Sequence, residues 1–308
     1  MAFRTCSRSA SAAAPVSSRR SGSATISEAL LAAAARRLGS APRGARRLAG
    51  GDIGDVRALS LADGRTVVVK TQPGAPPELF RAEARGLAFL AEPAALRTPR
   101  VLAVDDAFLV LEYLAPAPRR PDFDERLGAG LAALHRSSPG PKPGLDHDNF
   151  LGPIPQANAS TDDWASFYGE RRLVPLAARA AVTLGATRVA RIERLARSLE
   201  RRVGPREPPS RLHGDLWAGN LLVDEQGAPA LIDPAVFAGH REVDLSMMKL
   251  FGGFGPRVFQ AYDAAYPRAP GHDERVPLYQ LLPLLVHVAL FGASYLRGVD
   301  GALDALGA

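Results

Sequence analysis

The chain has 308 residues, 46% hydrophobic and 23% charged, a balance that suits one large globular domain or two lobes with a real core. No run of about eighteen apolar residues stands out, which argues against a membrane span. The formal net charge of +6 is local. Residues 1–47 hold nine Arg against Glu28, while the rest carries 29 basic and 31 acidic residues, so the body is not a nucleic-acid binder by charge.

Cys6 is the only cysteine, which excludes an intramolecular disulfide and a Cys-based metal site. Residues 1–24 are rich in Ser, Ala and Arg, free of acids, and lack an h-region of secretory length. They read as a disordered tail or an over-extended start, with an organellar transit peptide as the alternative. A helix is predicted from an N-cap at Thr25 or Ser27 to Arg37 or Leu38, stopped by Gly39.

From residue 45 to 71 the pattern changes to strands. Gly50-Gly51-Asp52-Ile53-Gly54 reads as a hairpin turn whose backbone N–H groups can approach phosphates closely, with Gly50, Gly51 and Gly54 as the candidates. Residues 56–61 return, Ala62-Asp63-Gly64 turns, and Thr66-Val67-Val68-Val69-Lys70 is a β-branched, buried strand. A lysine closing such a strand is costly without a partner. A helix over residues 78–90 offers one in Glu83, with Glu78 and Glu92 as competing acids. In kinases a strand Lys and a helix Glu form such a pair and grip the α- and β-phosphates.

Residues 100–104 and 108–112 are two further strands, which complete five strands and one helix. The chain then breaks into Ala115-Pro116-Ala117-Pro118, a linker composition. Glu112 and Leu114 are the candidates for holding adenine through their backbone. Beyond them the pattern is mostly helical. Residues 121–135 form a helix with His135 as its C-terminal cap. Asp146-His147-Asp148 lacks a second His or Cys at ligand spacing, so a metal site there is rejected. Residues 171–202 read as helix with a solvated basic face. Residues 278–295 form a long apolar core helix, with a kink expected at Pro283.

The stretch from 211 to 244 carries the chemistry. Asp215 is followed five residues later by Asn220, then by a strand, a polar turn, a second strand and Asp233. One carboxylate orients a hydroxyl and takes its proton, while an amide oxygen and a second carboxylate hold Mg²⁺ on phosphates. The order Asp, Asn five on, Asp after a hairpin is that of the kinase catalytic loop and its metal-binding Asp.

The wording is narrower than kinase. HGDLWAGN at 213–220 and LIDPAVFAGHREVDLSMMKLFGGF at 231–254 resemble the fructosamine kinase (ketosamine kinase) family, within the aminoglycoside-phosphotransferase and choline-kinase-like group. DxDNFxG at 146–152, PQxN at 155–158 and DWxxFYxERRL at 163–173 extend the resemblance to about residues 25–298. It implies an α+β, two-lobed protein-kinase-like fold. After the leader at 1–24 come a small antiparallel-sheet N-lobe with one helix (25–114) and a larger, mainly helical C-lobe (115–308).

The resemblance also implies an enzyme that uses ATP and Mg²⁺ to phosphorylate the sugar hydroxyl of ketosamines, leading to deglycation. Asp215 would be the base, Asn220 and Asp233 the metal ligands, and Lys70 with Glu83 the phosphate clamp, since FxxEaxxL selects Glu83 over Glu78. Trp217 would stack on the sugar, and Asp244 and His213 would brace the loop. Glycated proteins or small sugar-amines are the implied partners, with no nucleic acid and no membrane. A cytoplasmic monomer is expected, or an organellar one if residues 1–24 are a transit peptide. Two other readings stand beside this one: a small-molecule kinase of the aminoglycoside or choline type, and a catalytically dead nucleotide-binding protein. One departure bears on substrate. Where the family shows His-Leu-Leu-Asn-His, this chain has Pro283-Leu284-Leu285-Val286-His287, so Val286 stands where an amide is usual.

Overall fold

The structure is a computed structural model that describes residues 28–48 and 54–308. The leader at 1–24, the expected caps Thr25 and Ser27, and Gly50 and Gly51 lie outside the described residues. In chain order the first elements are α1 (Glu28–Arg37), β1 (Pro42–Arg47), β2 (Asp55–Leu61), β3 (Thr66–Thr71), α2 (Leu79–Ala91), β4 (Val101–Val104) and β5 (Leu109–Glu112). They are followed by α3 (Phe123–Arg136), β6 (Asn149–Leu151), β7 (Ile154–Gln156), α4 (Trp164–Phe167), α5 (Val174–Arg179) and α6 (Ala181–Ala196). The catalytic stretch supplies β8 (Ser210–Leu212), β9 (Leu221–Val223), β10 (Pro229–Leu231) and β11 (Phe237–Gly239). Four helices close the chain: α7 (Glu242–Leu250), α8 (Pro256–Ala265), α9 (His272–Phe291) and α10 (Leu296–Ala305).

The first five strands form one antiparallel sheet in the order β1-β2-β3-β5-β4. Strand periodicity decides what each face meets. Val67 and Val69 of β3 point to one side, where Leu31, Ala34 and Ala35 of α1 cover them. Val68 and Lys70 point to the other, where Phe80 and Leu87 of α2 pack on Leu109 and Leu111. The strand therefore delivers its lysine to the helix that carries Glu83. Glu78 sits just before α2 at φ 68 and pairs with Arg81 and Arg85 at the surface instead.

The remaining chain is mainly helical around two cores. One gathers Leu127, Leu131 and Leu134 of α3 with Val258 and Tyr262 of α8 and with Leu216 and Leu231 of the catalytic stretch. Each fully buried leucine stabilises such a core by about 1.5–3 kcal/mol. The α3–α8 contact is close because Gly128 has no side chain: a Cβ there would lie 2.2 Å from the Val258 carbonyl oxygen. The other core joins α5, α6, α9 and α10 to Phe167, Tyr168 and Phe237. Within 272–305 an eighteen-residue window has mean hydropathy 1.7, enough by length and composition to cross a membrane, and half of that window is buried in the protein's own core. Scattered polar residues hide it from a search for an unbroken apolar run.

The two parts are tied behind the linker by Arg97. Its carbonyl accepts from Leu231 N at 2.8 Å, and its guanidinium reaches Glu225 at 2.7 Å, Glu112 at 3.1 Å and Asp224 at 3.6 Å.

Two local expectations are corrected. Residues 171–202 are not a solvated basic face throughout. A turn of π-helix at Tyr168–Leu173 buries Arg172. Its guanidinium lies over Phe237 at 4.2 Å and Phe167 at 4.7 Å, and donates to the Ala157 carbonyl and to Asn158 Oδ1. Burial pulls its pKa down to about 9. Arg172→Lys keeps the charge but loses the planar fork and the stacking, so a loss of about 3 kcal/mol is expected, measured by urea denaturation.

His135 does not cap α3. It is buried, receives Tyr262 Oη–H at Nδ1 (2.9 Å) and donates from Nε2 to Asp244 Oδ2 (3.2 Å). The expected kink position, Pro283, lies inside α9. The proline has no N–H for the Tyr279 carbonyl four residues back. The buried Tyr168 hydroxyl stands at that gap, 3.0 Å from the Leu278 carbonyl and 3.5 Å from that of Tyr279.

Candidate active site

Two short antiparallel ladders hold the catalytic stretch: β8 with β11, and β9 with β10. The β9–β10 turn is closed by Asp224, whose Oδ1 accepts from Gln226 N at 2.9 Å and Ala228 N at 2.8 Å, as an Asx-type turn does. Between β8 and β9 runs the loop from His213 to Asn220. Gly214 must be glycine: its φ is +82°, and a Cβ would lie 2.1 Å from the Ala235 carbonyl oxygen. Asp233 also adopts a left-handed backbone, φ 56, directly after the second ladder. For a non-glycine residue that conformation is strained, and strain of this kind collects at functional sites.

Asp244, fully buried in α7, fixes the loop from below. It accepts from His213 N at 2.8 Å and from Gly214 N at 2.9 Å, besides His135. Burial opposes its charge, but these donors outweigh burial and hold its carboxyl below the usual range. His213 uses both ring nitrogens. Nε2 donates to the Ile232 carbonyl at 2.9 Å, and Nδ1 accepts from Asp215 N at 3.2 Å. Burial lowers its pKa, so it is the neutral tautomer with hydrogen on Nε2.

Above this floor the candidate catalytic groups meet. Asn220 Nδ2 donates to Asp215 Oδ2 at 3.1 Å and to the Asp215 carbonyl at 2.8 Å. Lys70 Nζ bridges Glu83 Oε1 at 2.5 Å and Asp233 Oδ1 at 2.8 Å. Burial works against the Lys70 cation, but the Asp233 and Glu83 carboxylates raise its pKa above the ordinary value, so it stays an ammonium. Burial raises Glu83 in turn, against the pull of Lys70. Asp215 is pushed up to about 7, chiefly by burial and further by the Asp233 and Asp244 charges, while the Asn220 amide opposes the shift. A carboxylate that titrates near neutrality beside a cleft is suited to proton transfer.

Among the described residues no three His, Cys, Asp or Glu side chains could hold a metal by themselves. Asn220 and Asp233 are a different kind of set. The amide hydrogens face Asp215, which turns the amide oxygen away from it, and Asp233 offers a carboxylate. Two oxygen donors completed by phosphates and water fit Mg²⁺.

The other predicted residues stand as follows. Gly54 opens into β2 against the Thr71 carbonyl, which a Cβ would approach to 3.0 Å. Leu114 is buried just past β5. Glu112 is less free than expected: its N–H donates to the Arg100 carbonyl, and its carboxylate binds Arg97 and Arg100 N. Trp217 is 38% exposed, and its indole lies over Gly219, where a Cβ would clash at 2.2 Å. Two features went unread in the sequence. His135 continues the buried stripe Leu127, Leu131, Leu134 of α3, a helical period that could have found it. A small cavity of about 10 Å³ beside Asp215 is lined by Leu151, Met247, Leu282, Pro283, Val286 and His287, and no local motif marks it.

Comparison with known proteins follows the same lines. The sequence profile described as fructosamine kinase matches residues 26–307. A Thermus thermophilus protein named as a probable ketoamine kinase is 43% identical over 260 residues, covering 84% of this chain and 92% of that protein. The crystal structure of a Thermobifida fusca protein, provisionally titled a fructosamine-3-kinase, superposes with a TM-score of 0.82 at 38% identity, over 90% of this chain and 99% of that one. A macrolide 2'-phosphotransferase from Brachybacterium faecium, at 17% identity, shares the fold alone, with a TM-score of 0.55 over 90% of this chain and 97% of its own.

Proposed function

Because the chain belongs to the fructosamine kinase family and has its protein-kinase-like fold, we propose that it is an ATP-dependent kinase for the sugar hydroxyl of ketosamines. The acceptors are fructosamine or ribulosamine adducts on protein lysines or small amines. Phosphorylation at the sugar's third hydroxyl gives a product that eliminates spontaneously and frees the amine. The observation that carries this reading is the meeting of Asp215 with Asn220 and of Lys70 with Asp233 and Glu83.

In this reading Asp215 orients the acceptor hydroxyl and takes its proton at Oδ. Its raised pKa makes it a stronger base than an ordinary aspartate at neutral pH. Lys70, fixed by Glu83, exchanges its contact with Asp233 for the phosphates of ATP. Asn220 and Asp233 would hold Mg²⁺, which neutralises phosphate charge when bound. Asp244 and His213 keep the Gly214–Asp215 backbone in place. Glu112 and Leu114 flank the adenine site. The cytoplasm is the compartment this use of ATP calls for, and a monomer suffices for the reaction.

Turnover with ribulosamine, fructosamine and free aminoglycosides tests the proposal. Phosphorylation of either ketosamine, with aminoglycosides inert, is the expected result. Activity on aminoglycosides alone overturns it. Trp217→Ala should raise the KM for the sugar-amine by about tenfold, since stacking area is lost in ground and transition states alike. Steady-state kinetics checks this, with ATP hydrolysis in the absence of acceptor little changed. A fall in melting temperature with the acceptor KM intact would make Trp217 a packing residue.

A further inference from the structure

Away from the catalytic stretch, the N-terminal sheet carries an open groove that phosphoryl transfer does not use. It has a volume of about 680 Å³ and lies between α2 and β4. Ala84, Ala88, Ala91 and Val101 make its floor apolar. The three alanines fall at helical spacing on one face of α2. Glu83 projects from the other side of the helix, toward Lys70.

Two features say what fits there. The first is the backbone. With strand order β1-β2-β3-β5-β4, the outer edge of β4 has no strand partner among the described residues. Such an edge presents N–H and C=O groups with which an extended chain can pair. The chain just before β4 already takes one backbone partner in this way, since Arg97 bridges to Ala230 of β10. The four residues of β4 leave about 13 Å of ladder open.

The second feature is charge. Arg81, Arg85 and Arg100 line the groove, and among the described residues no acid does. Their present partners stand at the rim. Arg81 meets Asp106 at 3.0 Å and Glu78 at 3.4 Å, Arg85 meets Glu78 at 3.5 Å, and Arg100 meets Glu112 at 3.5 Å. Exposed pairs of this kind contribute little to stability, so incoming carboxylates can take their place. Charge also decides between occupants. A second copy of the chain, paired through the same groove, would bring the same three arginines. Residues 1–24 of the chain itself hold Arg and no acid. Both would meet repulsion.

We propose that this groove docks an extended segment of a partner protein, with a short apolar centre flanked by acidic side chains, added to β4 as a sixth strand. The apolar centre packs on the alanines and Val101, and the flanking carboxylates pair with Arg81, Arg85 and Arg100. The groove and Glu83 lie on different sides of α2, so docking leaves the catalytic groups free.

Fluorescence anisotropy of a labelled Glu-Asp-Val-Thr-Val-Glu-Asp peptide with the full chain tests the proposal. A Kd of about 10–100 µM is expected, weakening about tenfold or more when every acid is replaced by lysine. Ala88→Trp, at an exposed position of α2, fills the groove, and the double variant Arg81→Glu, Arg85→Glu reverses its charge. Each should weaken binding about tenfold or more, with the melting temperature little changed. Should the double variant not fold, Ala88→Trp carries the comparison alone. Hydrogen exchange should slow at β4 when the peptide is bound. No binding up to about 1 mM overturns the proposal, as does equal binding of the lysine peptide or undiminished binding by folded Ala88→Trp. A dimer in sedimentation that Ala88→Trp dissolves would give the groove to a second copy and overturn the acidic segment as its occupant.

Discussion

Asp215→Asn is expected to lower turnover by about 10²–10⁴ while leaving ATP affinity nearly intact, because the base acts on the acceptor in the transition state. The same change should raise the melting temperature of the metal-free protein above neutral pH. The sign follows from linkage. The Asp215 pKa is raised in the folded state to about 7 from 3.8, so stability is greatest below the unfolded value and is lost as pH rises through about 7. Asparagine mimics the protonated form and escapes that loss. The variant and wild type should therefore melt alike near pH 4 and diverge by a few degrees at pH 8, read by calorimetry across that range. Wild-type turnover should rise with pH through neutrality in step with ionisation of the base. Equal melting curves at pH 8 would mean that Asp215 is not burdened by its surroundings.

The second large effect belongs to a residue that touches no substrate. Asp244→Ala leaves the His213 and Gly214 amides and the His135 Nε2–H group without their acceptor in a dry interior. A loss of about 3–5 kcal/mol is expected, together with collapse of turnover, since Gly214 carries Asp215. Asp244→Asn, which keeps one acceptor oxygen, should lose distinctly less stability. The pH dependence runs opposite to that of Asp215. The folded pKa of Asp244 is depressed, so its contribution is present above the ordinary aspartate value and is lost as pH falls through the folded one. Urea titrations of wild type and both variants at pH 7 and pH 4 separate these contributions. A folded, active Asp244→Ala protein would remove this residue from the architecture of the loop.

What the sequence made legible divides along the range of the interactions. Asp215, Asn220 and Asp233 could be read because their chemistry fixes residue types within one loop and one hairpin. Lys70 and Glu83 could be read because a period of two and a helical period each assign a face. Arg172 and His135 could not be read in the same way. Their partners include Phe237, Tyr262 and Asp244, brought near only by tertiary folding. A basic residue in a basic helix reads as solvated until the ring that covers it is known. Glu112 shows the same limit within the candidate site: its position after β5 was legible, but the loss of its N–H to Arg100 depends on how β4 lies beside it. The apolar wall at Val286 was visible as a departure in wording, yet its place next to Asp215 is a fact of packing.

The Arg97 tie has a mechanical consequence. The sheet and the helical body are joined covalently where the chain passes beyond Glu112, and again through Arg97 to Leu231 and Glu225. The end of α2 adds a third hold: Arg211 donates to the Phe89 carbonyl at 2.8 Å and pairs with Glu92 at 2.9 Å, and Leu90 sits in the core of the helical body. The sheet is thus clamped along one side by the linker, the Arg97 strap and the end of α2, which leaves the Lys70–Asp233 contact to span the open side.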